Sequence, residues 1–252
     1  MRVIATVEAR MASTRLPGKT LRPLLGRPVL CRVVERIRRS RRVEEVVVAT
    51  TTNPADDAIV ECCRRNGFAW YRGSEEDVLG RVIEAARAQR GDLLVQLGAD
   101  CPFYDPALID QLVGIYCEGG YDYVTNDMEL TYPEGVDAHV VARRTLEDAA
   151  TKTTRPRDRE DVPRYIFERP QVYRIFNLRA PAELHAPDVR LTLDYPEDLV
   201  LTEAIYAALY PAHPAFTTRD VLRLLRERPE LRSINAHCKQ LSAPYVHCED
   251  GR

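Results

Sequence analysis

The chain alternates short β-branched apolar runs with segments in which apolar residues recur every three or four positions, the pattern of strands interleaved with helices. Val3-Ile-Ala-Thr-Val7 precedes the first charge at Glu8 and predicts a buried strand over 2–8. Val29, Val33, Val34 and Ile37 form one stripe and Pro28 suits a first helical position, which predicts a helix over 28–39. A strand over 44–50 leads to a helix over 54–66, capped by Asn53, opened by Pro54 and closed by Gly67. Ser74-Glu-Glu-Asp77 gives a capping-box-like start to a helix over 75–90 that Gly91 ends, and a strand over 92–97 delivers Gly98-Ala-Asp100. Asp105-Pro106 opens a further helix that stops at Gly119-Gly120. This order predicts an α/β, Rossmann-like fold, a mostly parallel twisted sheet with helices on both faces.

The second half is less regular. Strands are predicted near 121–125, 135–142, 172–178 and 189–194, and a charged stretch from Lys152 to Arg169 breaks the alternation. A small insertion over about 126–180 is the expected result of that break. Within it, Thr151 to Arg159 reads as an exposed mobile loop. The expected division is a main domain over 1–210 and a C-terminal helix and tail over 211–252.

A length of 252 residues is enough to bury the core of a single α/β domain. With 36 basic and 38 acidic residues the net charge is -2, which argues against a nucleic-acid-coating surface. No run approaches the roughly 18 apolar residues of a membrane helix, and the amino terminus lacks a signal-peptide pattern, so a cytoplasmic protein without membrane contact is expected. The seven cysteines make no disulfide framework in a chain of this size, and Cys31, Cys62 and Cys117 read as small helix fillers. His237-Cys238 and His247-Cys248 repeat a potential zinc-ligand pair, at a spacing unlike the common zinc sites, in a tail that otherwise reads as loosely ordered.

Candidate chemistry starts where the first strand ends. The loop after Glu8 carries Arg10, Arg15 and Lys19 with Ser13, Thr14 and the permissive Gly18, beyond the carboxyl end of a parallel strand, where ligands bind in open α/β sheets. Three cations with several donors suit a polyphosphate, although an isolated basic triplet is commonly just a solvated loop. Asp100 follows an apolar strand and projects from the same sheet edge, well placed to hold a metal. Asp194 ends Val189-Arg-Leu-Thr-Leu and precedes Tyr-Pro196, so it reads equally as a helix cap or as a metal ligand. No Walker loop or nucleophile elbow is present.

The wording of the first loop, Ala9-Arg-Met-Ala-Ser-Thr-Arg-Leu-Pro-Gly-Lys19, resembles the signature of the cytidylyltransferases that activate acidic sugars, including the CMP-sialic acid and CMP-3-deoxy-manno-octulosonate synthetases. It most resembles the branch of spore-coat polysaccharide biosynthesis cytidylyltransferases, and the likeness extends to about Leu209. Leu97-Gly-Ala-Asp100-Cys-Pro and Leu193-Asp194-Tyr-Pro-Glu-Asp198 are similar to the family's Gly-Asp-Cys-Pro and Asp-x-Pro-Glu-Asp motifs, whose first aspartates bind Mg²⁺. The resemblance implies that Ala9, Arg10, Met11, Ser13, Thr14, Arg72, Gly73 and Arg81 contact the nucleotide, and that Arg15, Lys19 and Asp100 serve catalysis. Tyr132 and Asp137, in Tyr-Pro-Glu-Gly-Val-Asp, and Arg159 and Arg164 would belong to the acceptor site. Asp161, Pro163 and Arg164 replace the histidine, threonine and proline that relatives commonly show, which points to a related but different anionic acceptor.

The resemblance thus implies a Mg²⁺-dependent reaction of CTP with a small acidic acceptor, giving a CMP conjugate and pyrophosphate, and it implies a homodimer. Sugar phosphates or phosphonates are alternative acceptors. A nucleotide-sugar-dependent glycosyltransferase is a rival reading, but the Asp-x-Asp motif it needs is missing at Asp100-Cys-Pro. A catalytically silent nucleotide-binding protein is a third.

Overall fold

The computed structural model describes residues 1–238. Strand β1 (Val3–Glu8) is followed by a small ribbon, β2 (Pro23–Leu24) and β3 (Arg27–Pro28), and by helix α1 (Val29–Ile37). Next come β4 (Glu45–Thr51), α2 (Asp57–Asn66), β5 (Ala69–Gly73), α3 (Val78–Ala88), β6 (Leu93–Gly98) and α4 (Pro106–Gly119). The second half holds β7 (Tyr123–Thr125), β8 (His139–Ala142), α5 (Arg143–Lys152), α6 (Pro156–Glu160), α7 (Arg164–Phe167), β9 (Ile175–Asn177), α8 (Pro196–Leu209), α9 (Thr218–Glu227) and α10 (Pro229–Arg232).

Among the described residues seven strands form one sheet in the order β5-β4-β1-β6-β8-β7-β9. The first four are parallel, β8 runs antiparallel to both β6 and β7, and β9 is parallel to β7. The sheet separates two apolar layers because successive strand residues point to opposite faces. Val3, Ala5 and Val7 enter the larger core with residues of α1, α2, α4, α8 and α9, whereas Ile4 joins Val47, Leu94 and the apolar side of α3 and α5. Burial on both faces explains why these strands read as unbroken apolar runs. The register sets Glu8 opposite Ala49 on one side and Gly98 on the other, so β1 and β6 end level, β4 runs two residues further to Thr51, and the three ends form a floor for the loops above.

Several expectations are corrected. Residues 189–194 form no strand; within that segment only a bridge between Arg190 and Glu134 is made, and Leu193 donates instead to the Asp100 carbonyl at 2.8 Å. Strand β5 and helices α5 and α7 stand where no element is expected. Helix α3 starts at Val78, not at 75, because the Asp77 carboxylate accepts from the Gly80 N–H at 2.9 Å. The segment over 151–159 is no free loop: α6 begins in it, and Asp158, fully buried, accepts from Thr153 and Arg155. Cys31 and Cys62 are buried as expected, but Cys117 is exposed. Among the described residues no helix is long and apolar enough to cross a membrane.

Candidate active site

The basic loop after β1 is tied down at both ends. Met11 donates its N–H to the buried Asp56 carboxylate at 2.7 Å and accepts from the Gly18 N–H at 3.2 Å, while Thr20 donates its hydroxyl to the Arg10 carbonyl at 3.2 Å. Gly18 takes φ 68°, which closes the loop where a side chain would strain it. The result is a fixed arch over the floor of strand ends. Ala9, Arg10, Ser13, Thr14, Arg15 and Lys19 all line a cavity of about 670 Å³ beneath it. That volume suits a nucleotide-sized ligand.

The two aspartates meet in this cavity. Leu193 donates to the Asp100 carbonyl, which splices the segment before α8 onto the end of β6 and brings Asp194 beside Asp100. Lys19 bridges them, its Nζ 2.7 Å from Asp100 Oδ2 and 2.9 Å from Asp194 Oδ1. Arg15 lies 2.9 Å from the same Asp194 oxygen, and Arg190 holds the other at 2.8 Å. Asp194 therefore does not cap α8. That duty falls to buried Asp198, whose carboxylate accepts from the N–H groups of Asp194 and Tyr195, each at 2.9 Å, and from Arg190 Nε at 3.0 Å. Burial raises the Asp194 pKa, but Lys19, Arg190 and Arg15 outweigh it and hold the carboxyl down at about 2. Burial also lowers the Lys19 pKa, yet its two carboxylate partners shift it above its ordinary value, so the ammonium stays charged.

The far side of the cavity differs. Glu8, Gln96, Arg81 and Val78 line it together with Glu160, Asp161 and Val162 from the insertion. Gln96 Nε2 donates to Glu8 Oε1 at 2.6 Å. Desolvation pushes the Glu8 carboxyl up to about 7, against the opposing pull of Gln96 and Arg81. Sequence reading misses Glu8 and Gln96, because a charge at the end of a strand and an amide within one carry no signal of a shared cavity.

Other expected site residues stand elsewhere. Met11 anchors the loop and does not line the cavity. Arg72 ties β5 to the turn before α2, donating to the Thr51 carbonyl at 2.7 Å, to the Asn53 carbonyl at 2.9 Å and to Asp57 at 2.6 Å. Gly73 makes room for Arg81, whose Cγ would lie 2.9 Å from a Cβ placed there. Tyr132 is buried and stands with Asp137 outside the cavity lining, and desolvation with nearby Asp127 raises the Asp137 carboxyl well above its ordinary range. Arg159 pairs with Asp77 outside this cavity, and Arg164 with Asp161 at 2.9 Å and Glu168 at 3.1 Å. Of the replaced segment, it is therefore Asp161 that reaches the cavity wall, and Arg164 does not. His237 and Cys238 lie beside Glu197, their ligand atoms within 4.8 Å of one another, while His247 and Cys248 fall outside the described residues.

A loop of cations at the carboxyl edge of a parallel sheet thus faces two converging aspartates, and known proteins resemble this chain along nearly all of its length. Residues 4–220 match the family model described as cytidylyltransferase. The spore coat polysaccharide biosynthesis protein SpsF of Bacillus subtilis is 34% identical over 233 residues, covering 90% of this chain and 95% of its own. A cytidylyltransferase structure from Leptospira borgpetersenii superposes with a TM-score of 0.87 at 28% identity, covering 96% of this chain and 100% of that one. The structure of CMP:2-keto-3-deoxy-manno-octonic acid synthetase complexed with CTP shares the fold, with a TM-score of 0.63 at 18% identity over 82% of this chain and 99% of its own. The chain belongs to the cytidylyltransferase family and is a CTP-dependent nucleotidyltransferase.

Proposed function

We propose that this enzyme joins CMP to the oxygen of a small acidic sugar or related anionic acceptor, releasing pyrophosphate, in the assembly of a surface polysaccharide or glycoconjugate. The observation that supports it most directly is the convergence of Lys19, Arg15, Asp100 and Asp194 under one fixed loop. The acceptor oxygen attacks the α-phosphorus, the P–O bond to the bridging oxygen breaks, and its electron pair leaves with pyrophosphate. Such transfers need positioning and charge stabilisation more than covalent help from the protein. Arg10, Arg15 and Lys19 would hold the triphosphate, with loop N–H groups and the Ser13 and Thr14 hydroxyls around it. Two carboxylates near enough for one ammonium to bridge form a hard-oxygen pair that fits Mg²⁺, with Asp100 and Asp194 as its holders. When bound there, the ion would neutralise phosphate charge. Lys19 balances the charge of the same pair from the loop side.

A screen of acidic-sugar, sugar-phosphate and phosphonate acceptors with CTP, read by mass spectrometry of the nucleotide product, tests the proposal. A CMP adduct with stoichiometric pyrophosphate is expected; glycosyl transfer without pyrophosphate, or CTP binding without turnover across the panel, would overturn it. Asp100→Asn is expected to lower kcat by at least about 100-fold with the fold intact. Undiminished turnover would remove Asp100 from the reacting centre.

A further inference from the structure

The active-site cavity straddles the sheet. Leu191 and Leu193, which flank the approach to Asp194, belong to the larger core, whereas Ile4, Leu94, Val78 and Leu79 belong to the other. Glu8 shares the face of Ile4 by strand alternation, and Gln96 shares that of Leu94. Glu8 and Gln96 thus stand together on the face of the second core, beside Arg81 of α3.

That second side has the make-up of a site for a flat heterocycle. Val78 and Val162, both buried residues, border it, and its polar groups are the Gln96 amide, the Arg81 guanidinium and the carboxylates of Glu8, Glu160 and Asp161. Its hydrogen-bonding capacity is incompletely used. Glu8 Oε1 accepts from Gln96, and among the described residues no donor is bonded to its second oxygen; Gln96 Oε1 and Arg81 Nε are buried without hydrogen-bond partners. A partly buried carboxylate with a single neutral donor gains from a further N–H donor. Cytosine presents one: its exocyclic amine at position 4, which a carboxylate recognises by accepting from it. Uracil has a carbonyl oxygen at that place, which would face the ionised carboxylate as a second acceptor.

We propose that Glu8 reads the nucleobase, accepting from the 4-amino group of cytosine and rejecting uracil, with Gln96 as the positioning residue that fixes the orientation of the carboxylate. The inference rests on the CTP-dependent reaction above and adds the residue that selects the base.

A chemical double-mutant cycle tests it. Wild-type enzyme, Glu8→Met, which keeps the length of the side chain without its oxygens, and Glu8→Ala are each assayed for pyrophosphate release with CTP, UTP and the triphosphate of the pyrimidin-2-one ribonucleoside, which lacks the amine. Wild type should prefer CTP over the deamino analogue by about 10- to 100-fold in kcat/KM. Either variant should lose a similar factor with CTP and treat CTP and the analogue alike. A variant that folds, judged by its thermal transition, and retains the wild-type preference would overturn the role of Glu8 while leaving CTP use intact. Wild type that turns over UTP as well as CTP would instead remove the selectivity the proposal explains. Nucleotide affinities from calorimetry, measured beside the rates, should move in parallel.

Discussion

At the scale of single residues, the site depends on charges held close together by their neighbours. Lys19 is one of three lysines in a chain with thirty-three arginines, so the residue between Asp100 and Asp194 departs from the local habit of the sequence. A compact ammonium can touch two carboxylates and a phosphate at one point, whereas a planar guanidinium imposes a fork. Lys19→Arg should therefore keep the charge and lose activity by roughly 100-fold, with little change in the thermal transition, measured by kcat beside a melting curve. Glu8 yields a second prediction. Its carboxyl is raised by desolvation from 4.5 to about 7, so the stability that its neutral form contributes is complete below about 4.5 and is lost as pH rises through about 7. Glu8→Gln cannot ionise. It should match wild type near pH 4.5 and exceed it at pH 8 by about 1 kcal/mol, the part-exposed position limiting the gain, as read from chemical denaturation at both pH values.

At the scale of elements, the carboxylate of Asp194 is placed by a helix start rather than by a strand. Arg190 reaches Asp194, Asp198 and Glu134, and Asp198 caps α8 while fixing Arg190, so one buried ionic cluster sets the position of Asp194. Asp198→Asn leaves Arg190 undercompensated and should cost about 3 kcal/mol, with a fall in kcat that exceeds what the stability loss explains, checked by denaturation and by activity well below the new midpoint. This cluster also shows where the sequence can be read and where it cannot. Val3-Ile-Ala-Thr-Val and the loop through Lys19 are legible because β-branched runs and ordered motifs are local signals. Val189-Arg-Leu-Thr-Leu reads falsely as a strand because its alternation comes from burial against the larger core, while its backbone bonds to Asp100 and Glu134 one at a time. Ala69-Trp-Tyr-Arg-Gly escapes notice because a strand of this mixed composition is held by its pairing with β4, which no local pattern announces. The pairing of Arg164 with Asp161 and Glu168 is likewise invisible in the sequence, and with it the acidic wall of the cavity.

At the scale of the whole molecule, the C-terminal helices are continuous with the core. Phe216, Val221, Leu222, Leu224 and Leu225 are buried in the same apolar layer as Val3, Ala5 and Val7 of β1, and the Arg36 guanidinium donates to the Phe216 carbonyl at 2.8 Å. A chain cut after Tyr210 would expose that layer. It should show a broadened thermal transition at a much lower midpoint than the 252-residue chain, or collect in the insoluble fraction, as read by calorimetry and by solubility on expression. The same region reaches the ionic cluster around Asp194, because Asn235 donates to Asp198 at 2.8 Å and to the Arg190 carbonyl at 3.2 Å. This contact sets an order of events in synthesis. The basic loop after β1 leaves the ribosome long before Asn235 does, and until then the cluster that holds Asp194 lacks a member. A nascent chain can thus hold the whole of the basic loop well before the cluster around Asp194 is complete.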